Sequence, residues 1–352
     1  LKTAILYTPL FLEHRPGRRH PESPKRLEAI MAYVRRSGIL NSESCVLVEP
    51  KRQSLEDVLL VHDEEYVRFI ERRCRMGGGP VDMGDTFVSP RSFDVAVRAV
   101  GASITAVDMV LEGSCRNAFV LCRPPGHHAG VDYACGFCLF NNVASATMHL
   151  LRRRGLRRVL IVDLDAHHGN GTQEIFYRTG DVLYVSLHQN PQTFPGAGFS
   201  WQVGEGDGEG YTVNIPLPQS TGDTVYLTAL EWIVEPIAKQ YRPEFILASV
   251  GLDVHHRDPI GRLGLTAWGQ LAAIKKVLRL AEELCSGRFV AVLEGGYNLK
   301  FVAMMVTADI SAMAGLTPKL WDTQPLNLHA IKAKGWKVLK EVRKIQSAYW
   351  SL

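Results

Sequence analysis

The run Val159-Leu-Ile-Val-Asp-Leu-Asp-Ala-His-His-Gly-Asn-Gly-Thr-Gln173 opens on apolar, largely β-branched residues and changes abruptly to carboxylates, imidazoles and glycines. Its apolar part suits a strand buried on both faces. Along an extended chain, residues i, i+2 and i+4 share a face. Asp163, Asp165 and His167 are therefore expected to point together where the strand leaves its sheet. A carboxylate and an imidazole two residues apart suit a divalent metal. Gly169 and Gly171 permit a sharp turn into a helix expected from about Gln173. A lone histidine here would read as a satisfied loop side chain. Two carboxylates with two histidines make a metal site the stronger reading.

Other reactive residues follow other apolar runs. Ala118 to Cys122 leads into Arg123-Pro-Pro-Gly-His-His-Ala-Gly130, a rigid turn presenting His127 and His128. Phe245 to Val250 ends in Gly251-Leu-Asp-Val-His-His-Arg-Asp-Pro-Ile-Gly261, and Phe289 to Leu293 ends in Glu294-Gly-Gly-Tyr-Asn298. Strand-like runs at Thr3–Tyr7, Val182–Leu187 and Tyr211–Ile215 alternate with helical patterns. These include Pro24–Arg36, Ser92–Leu111, a helix ending at Leu151, Asp223–Lys239, and one capped by Thr266 that runs to Cys285. Such alternation predicts one α/β domain with a mostly parallel sheet between helices. In a parallel sheet the carboxyl ends of the strands share one edge, where ligands bind. His127, His128, Asp165, His167, Asp253 and Tyr297 are therefore expected to converge.

Asp165, His167 and Asp253 supply three ligands, the usual number in a catalytic zinc site. Nitrogen and oxygen ligands do not by themselves choose zinc over iron or cobalt. His127 and His128 are proton carriers near neutral pH, and each needs a partner to fix its tautomer. Asp163 would favour an imidazolium and Asn170 would not, which gives the two histidines different roles. Tyr297 offers a phenolic donor to an oxyanion. Together these groups describe hydrolysis of an amide or ester.

The 352 residues carry a net charge of only +4, which gives no argument for a nucleic-acid partner. The dense basic run Arg152–Arg158 falls where a helix should end, and interaction with the helix dipole accounts for it. No apolar run approaches membrane-spanning length. Seven scattered cysteines with no secretory signal before them predict a reducing, cytoplasmic setting. Cys135-Gly-Phe-Cys138 has redox-motif spacing but no second pair. The tail from Leu326 to Trp350 reads as an amphipathic, Lys-rich helix with a solvated outer face. Oligomeric state is not legible, and a homo-oligomer is compatible with the sequence.

Arg123-Pro-Pro-Gly-His-His-Ala, Gly136-Phe-Cys, Asp163-Leu-Asp-Ala-His-His-Gly-Asn-Gly-Thr-Gln, Gly251-Leu-Asp with Asp258-Pro-Ile-Gly, and Glu294-Gly-Gly-Tyr-Asn resemble, in this order, the zinc-dependent histone deacetylase family. That family includes acetylpolyamine amidohydrolases and acetoin-utilisation proteins. The resemblance runs from about Tyr7 to Ala314, and Asn170 and Glu294 look like the class II branch. It implies the arginase–deacetylase fold, with an eight-stranded sheet in a single domain. By motif it implies zinc on Asp165, His167 and Asp253, and His128 as general base partnered by Asn170. It further implies a charged His127 paired with Asp163, and Tyr297 on the substrate carbonyl.

Phe137 and Phe194 match the walls of an acyl-lysine tunnel, and the Gly136 backbone matches an acceptor for the lysine amide. The family's structural K⁺ or Na⁺ would sit on the backbone of Asp163, Asp165, His167 and Leu187, with Ser186. A second such site would use Phe176, Thr179, Val182 and Tyr211. Arg26 resembles an arginine near an acetate exit channel, although a surface arginine also fits that position. Asp85 or Thr86 occupies the place of a rim residue that grips the substrate backbone.

The implied activity is removal of acetyl groups from lysine side chains of proteins or peptides. A small-molecule deacetylase acting on acetylpolyamines is the alternative. Ile260, where polyamine-preferring relatives can carry an acidic gatekeeper, disfavours it. A non-catalytic acyl-lysine binder would be expected to lack a ligand, the base or the tyrosine, and all are present.

Overall fold

The apolar runs form a parallel sheet of eight strands, as the alternation predicts. The computed structural model describes residues 1–323 and 329–352. In chain order the strands are β1 (Thr3–Leu6), β2 (Cys45–Val48), β3 (Asn117–Val120), β4 (Val159–Asp163), β5 (Val182–Gln189), β6 (Thr212–Leu217), β7 (Phe245–Val250) and β8 (Phe289–Leu293). They lie in the order β2-β1-β3-β8-β7-β4-β5-β6, every pair parallel. β3, β4, β7 and β8 are buried along their whole length, as continuous apolar strands covered on both faces must be. Those four are also neighbours at the centre of the sheet. The loops carrying His127, Asp165, Asp253 and Tyr297 therefore leave adjacent strands at one edge.

The main helices are α1 (Lys25–Ser37), α2 (Ser92–Leu111), α3 (Asn142–Arg153), α4 (Asn170–Phe176), α5 (Ala267–Cys285), α6 (Leu299–Met313) and α7 (His329–Gln346). α1, α5 and α6 pack among themselves, and α2, α3 and α4 form a separate group. This is the arginase–deacetylase arrangement of one α/β domain. Thr266 caps α5 as expected, accepting from Gly269 N at 3.0 Å.

Three local readings change. β2 is an edge strand with only one of its four residues buried, too short for its alternation to show in the sequence. The expected helix Asp223–Lys239 is instead two α-helices joined by a π turn at Leu230–Val234. Pro236 has no N–H to donate, so the regular hydrogen-bond ladder fails there. α7 is solvated along its lysines but buries Leu339, Val342 and Gln346. Gln346 Nε2 donates to Thr212 O (3.1 Å), so the tail covers the open edge at β6. The expected start of this helix at Leu326 lies outside the described residues.

α6 carries the carboxylate that interrupts its apolar run. Asp309 is fully buried and accepts from Gln270 Nε2 of α5 at 2.8 Å, while its other oxygen and Gln270 Oε1 have no partner. Burial pushes the carboxyl up to about 8, so at neutral pH it is protonated and supplies the donor this pair lacks. An unfolded aspartate titrates near ~3.9. Stability from Asp309 is thus fully present below that value and is lost as pH rises through the folded value. Asp309→Asn is expected to remove this dependence. In thermal melts, the Tm of the wild type relative to the variant should fall from about pH 4 to about pH 8 and level off above that. A pH-independent difference would show Asp309 ionised in the native state.

Candidate active site

β4 ends at Asp163, and residues 165–167 form a bend. The alternation argument therefore stops at Asp163; a turn, not a pleat, brings Asp165 and His167 together. His167 N donates to Asp165 Oδ1 (2.9 Å), and His167 Nδ1 lies 3.3 Å from the same oxygen and 2.9 Å from Asp253 Oδ2. Backbone N–H groups hold the remaining oxygens: Gly295 N donates to Asp165 Oδ2 (2.9 Å) and Ala166 N to Asp253 Oδ1 (3.1 Å).

The donor atoms of Asp165, His167 and Asp253 all lie within 4.8 Å of one another, and all three residues are largely buried. Burial would lower the His167 imidazole, but the two carboxylates raise it to about 10. Burial and the Asp165 charge push Asp253 up to about 7. Two carboxylates in a dry pocket thus demand a cation, and a divalent ion fits their donor set. The backbone closes in to make room. A Cβ at Gly295 would lie 2.6 Å from Asp165 Oδ2 and 2.8 Å from Asp253 Oδ2.

His127 and His128 approach this corner from the β3 loop, their rings 4.0 Å apart. His127 Nδ1 donates to Asp163 Oδ2 (3.0 Å), which also accepts from Tyr184 Oη (3.0 Å). Burial lowers His127, but Asp163, Asp165 and Glu294 together raise it to about 10, an imidazolium at neutral pH. His128 faces Asn170 Oδ1 at 2.8 Å instead. Burial, the His127 charge and His167 hold it well below its ordinary value, so it is neutral. Two adjacent histidines therefore carry different charges, as their partners imply.

Tyr297 is anchored through its backbone, its N donating to Asp258 Oδ2 (2.7 Å). The other Asp258 oxygen accepts from Ile260 N (2.9 Å) and Gly261 N (3.0 Å), tying the β7 loop to the β8 loop. Arg26 is no surface arginine. It is fully buried, donating to Gly296 O (2.6 Å) and Glu294 O (2.5 Å), with its guanidinium 5.1 Å from the Tyr297 ring centre. Burial keeps the phenol well above its ordinary pKa, hence a donor. Glu294 braces the histidine loop by accepting from Gly126 N (2.7 Å) and His127 N (3.2 Å). Asp258, Glu294 and Arg26 fall in stretches the sequence singles out, but the bonds they make join residues remote in sequence, and Tyr184, inside β5, carries no pattern that marks its bond to Asp163.

Phe137 stands edge-on to Tyr297 (5.8 Å), and Phe194 edge-on to His128 (5.0 Å) and His167 (5.9 Å). Cys135 and Cys138 pair across a tight hairpin whose central residues, Gly136 (φ 52°) and Phe137 (φ 70°), are both left-handed. The motif is thus a turn that aims Phe137, and both thiols are free. Thr86 is buried and accepts from Phe137 N (3.0 Å), whereas Asp85 is exposed. Ile260 is half-buried beside the Asp258 turn. β4–β5 register sets Asp163 opposite Ser186, and Leu187 follows it. Phe176 and Thr179 share a turn (Thr179 N to Phe176 O, 3.3 Å), with Val182 opening β5 and Tyr211 preceding β6.

Two further clusters have metal-like spacing among the described residues. In His255, His256 and Asp322, His255 Nδ1 accepts from Arg257 N (3.2 Å). Its Nε2 therefore carries the proton given to Asp322 (2.9 Å) and has no lone pair for an ion. Asp322 also accepts from Ala267 N (2.8 Å), so this cluster is an anchor at the start of α5. In the other cluster, His127 Nδ1 is committed to Asp163, Glu294 accepts from Gly126 N and His127 N, and the Cys138 thiol donates to Gly136 O at 3.5 Å.

The family model described as "Histone deacetylase domain" matches residues 20–313. A probable deacetylase of Archaeoglobus fulgidus is 43% identical over 99% of this chain and 98% of its own length. Histone deacetylase 15 of Arabidopsis thaliana is 35% identical over 94% of this chain, which spans 59% of that protein. The crystal structure of the HDA15 HD domain superposes with a TM-score of 0.88 at 33% identity, covering 99% of this chain and 97% of that one. With its domain matched over most of its length, and with near end-to-end relatives, the chain belongs to the histone deacetylase family.

Proposed function

We propose that the protein is a zinc-dependent amidohydrolase that removes acetyl groups from lysine side chains of proteins or peptides. One observation carries this reading. The Asp165–His167–Asp253 corner, a neutral and a charged histidine, and a protonated tyrosine meet at the end of four adjacent strands. Zinc held by Asp165, His167 and Asp253 would polarise a carbonyl and lower the pKa of water. His128 accepts the proton of the attacking water and returns it to the departing amine. His127, fixed by Asp163, keeps a positive charge beside the reaction and so holds His128 neutral beforehand. The Tyr297 hydroxyl donates to the oxyanion as it forms.

Phe137 and Phe194 flank the site, and two aromatic walls bury the apolar stem of an acyl-lysine well. The Gly136 backbone lies between them as acceptor for the substrate amide. Thr86 is already engaged with Phe137, so Asp85 is the rim residue free to grip the substrate backbone. A monovalent cation, K⁺ or Na⁺, on Asp163, Asp165, His167, Ser186 and Leu187 would stiffen the β4–β5 corner, and a second would lie on Phe176, Thr179, Val182 and Tyr211. Seven free cysteines suit a reducing compartment. No helix among the described residues is long and apolar enough to cross a membrane.

Ile260 gives no anionic partner for the second cation of a polyamine. An acetyl-lysine peptide is therefore expected to exceed acetylspermine in kcat/KM by about 10-fold or more, the scale of one pocket contact. The purified, zinc-loaded chain assayed on both substrates decides this. Preference for acetylspermine would replace the protein-directed reading with the small-molecule one.

A further inference from the structure

Asn170 is an amide, and an amide can turn either its oxygen or its nitrogen toward His128. The choice matters, because it sets which ring nitrogen of His128 carries the proton. Only with the oxygen facing Nδ1 is Nε2 left with a lone pair for proton abstraction.

The surroundings of Asn170 settle that choice. Asn170 Nδ2 lies 3.4 Å from His128 O, a carbonyl that can only accept, and 3.2 Å from Tyr133 Oη. The Tyr133 hydroxyl directs its own proton to Glu174 Oε2 at 2.7 Å, and a carboxylate only accepts. The Tyr133 oxygen must then accept from Asn170 Nδ2, which leaves Asn170 Oδ1 to accept from His128 Nδ1 at 2.8 Å. The reversed amide would set its oxygen against the His128 carbonyl and against a hydroxyl oxygen whose proton is already committed.

Backbone placement supports this chain of donors. Asn170 and Glu174 stand one turn apart on α4, so both reach the same hydroxyl. Tyr133 belongs to the histidine loop, its carbonyl accepting from Gly130 N (3.1 Å). A Cβ at Gly130 would lie 2.2 Å from the Tyr133 ring.

We infer that Tyr133 and Glu174 are positioning residues that fix the His128 tautomer by fixing the orientation of the Asn170 amide. The donors run one way, from His128 Nδ1 through Asn170 Nδ2 and the Tyr133 hydroxyl to the Glu174 carboxylate, which accepts at the surface. The inference rests on the amidohydrolase reading for its consequence, but its geometry can be tested without turnover.

The test is the ¹⁵N spectrum of the imidazoles in the zinc-loaded chain, with the His128 signals assigned by their loss in His128→Ala. The wild type should show a protonated Nδ1 and an unprotonated Nε2. Tyr133→Phe and Glu174→Gln should move His128 toward the opposite tautomer and lower kcat on an acetyl-lysine peptide about 3–10-fold at unchanged KM. In Asn170→Asp the partner has no donor to turn, so adding Tyr133→Phe should cost less than about twofold more. An unchanged His128 spectrum in Tyr133→Phe, or an equal loss of kcat in the Asn170→Asp background, would overturn the assignment. The expected spectra in a chain that hydrolyses no acetyl-lysine would sink the amidohydrolase reading and leave the relay standing.

Discussion

Tyr297→Phe is expected to lower kcat about 10²–10³-fold while leaving bound zinc and the fold unchanged, the range for loss of one oxyanion donor. The substitution removes a single hydroxyl. Everything that positions the ring remains, because the anchors act on backbone and π face: the Tyr297 N bond to Asp258, and Arg26 across the ring. Phe137 also keeps its edge contact at 5.8 Å. The loss should therefore fall on kcat and kcat/KM alike, as for an interaction made only in the transition state. Because burial holds the phenol well above its ordinary pKa, the wild-type group stays a donor through the neutral range, and the deficit should not vary with pH there. Steady-state kinetics on an acetyl-lysine peptide, with metal content measured on the same sample, reads both quantities. Wild-type turnover in a zinc-replete variant would remove Tyr297 from the mechanism.

What the sequence exposed and what it hid divide along one physical line. Strands buried on both faces are legible because burial demands an unbroken apolar run; Phe245–Val250 and Phe289–Leu293 match their observed limits. The reactive residues were legible because each follows such a run, and a parallel sheet turns that repetition into proximity. α4 begins at Asn170, earlier than the glycines suggested, and this start places Asn170 and Glu174 on one helical face. The contacts that orient the site join residues remote in sequence. Arg26 reaches Gly296, Asp258 reaches the Tyr297 backbone, and Glu294 reaches Gly126. No local pattern encodes such pairs, because their partners are chosen by sheet order. Cys135 and Cys138 show the opposite failure: a familiar spacing whose work is to shape a turn.

Asp253→Asn is expected to cost the metal itself. Asparagine keeps the shape of the side chain and can still accept from Ala166 N through one atom. It removes one of the two negative charges and turns an N–H₂ toward His167, where an ion would need a lone pair. Changes outside the ligand set already cost about 10–100-fold in metal affinity. Loss of a ligand should exceed that, leaving less than about one-tenth of the zinc after dialysis and abolishing turnover with it. The metal-free variant should melt somewhat below metal-free wild type, because its N–H₂ faces the protonated His167 ring that the Asp253 carboxylate holds at 2.9 Å. Zinc at about 1,000 times its Kd stabilises a native site by about 4 kcal/mol. Thermal melts with and without zinc should therefore show a shift in wild type and none in the variant, each compared with its own metal-free melt. A variant that still takes up zinc stoichiometrically and shifts its Tm like wild type would mean that the ion is held elsewhere, and the corner of Asp165, His167 and Asp253 would need another explanation for its buried charge.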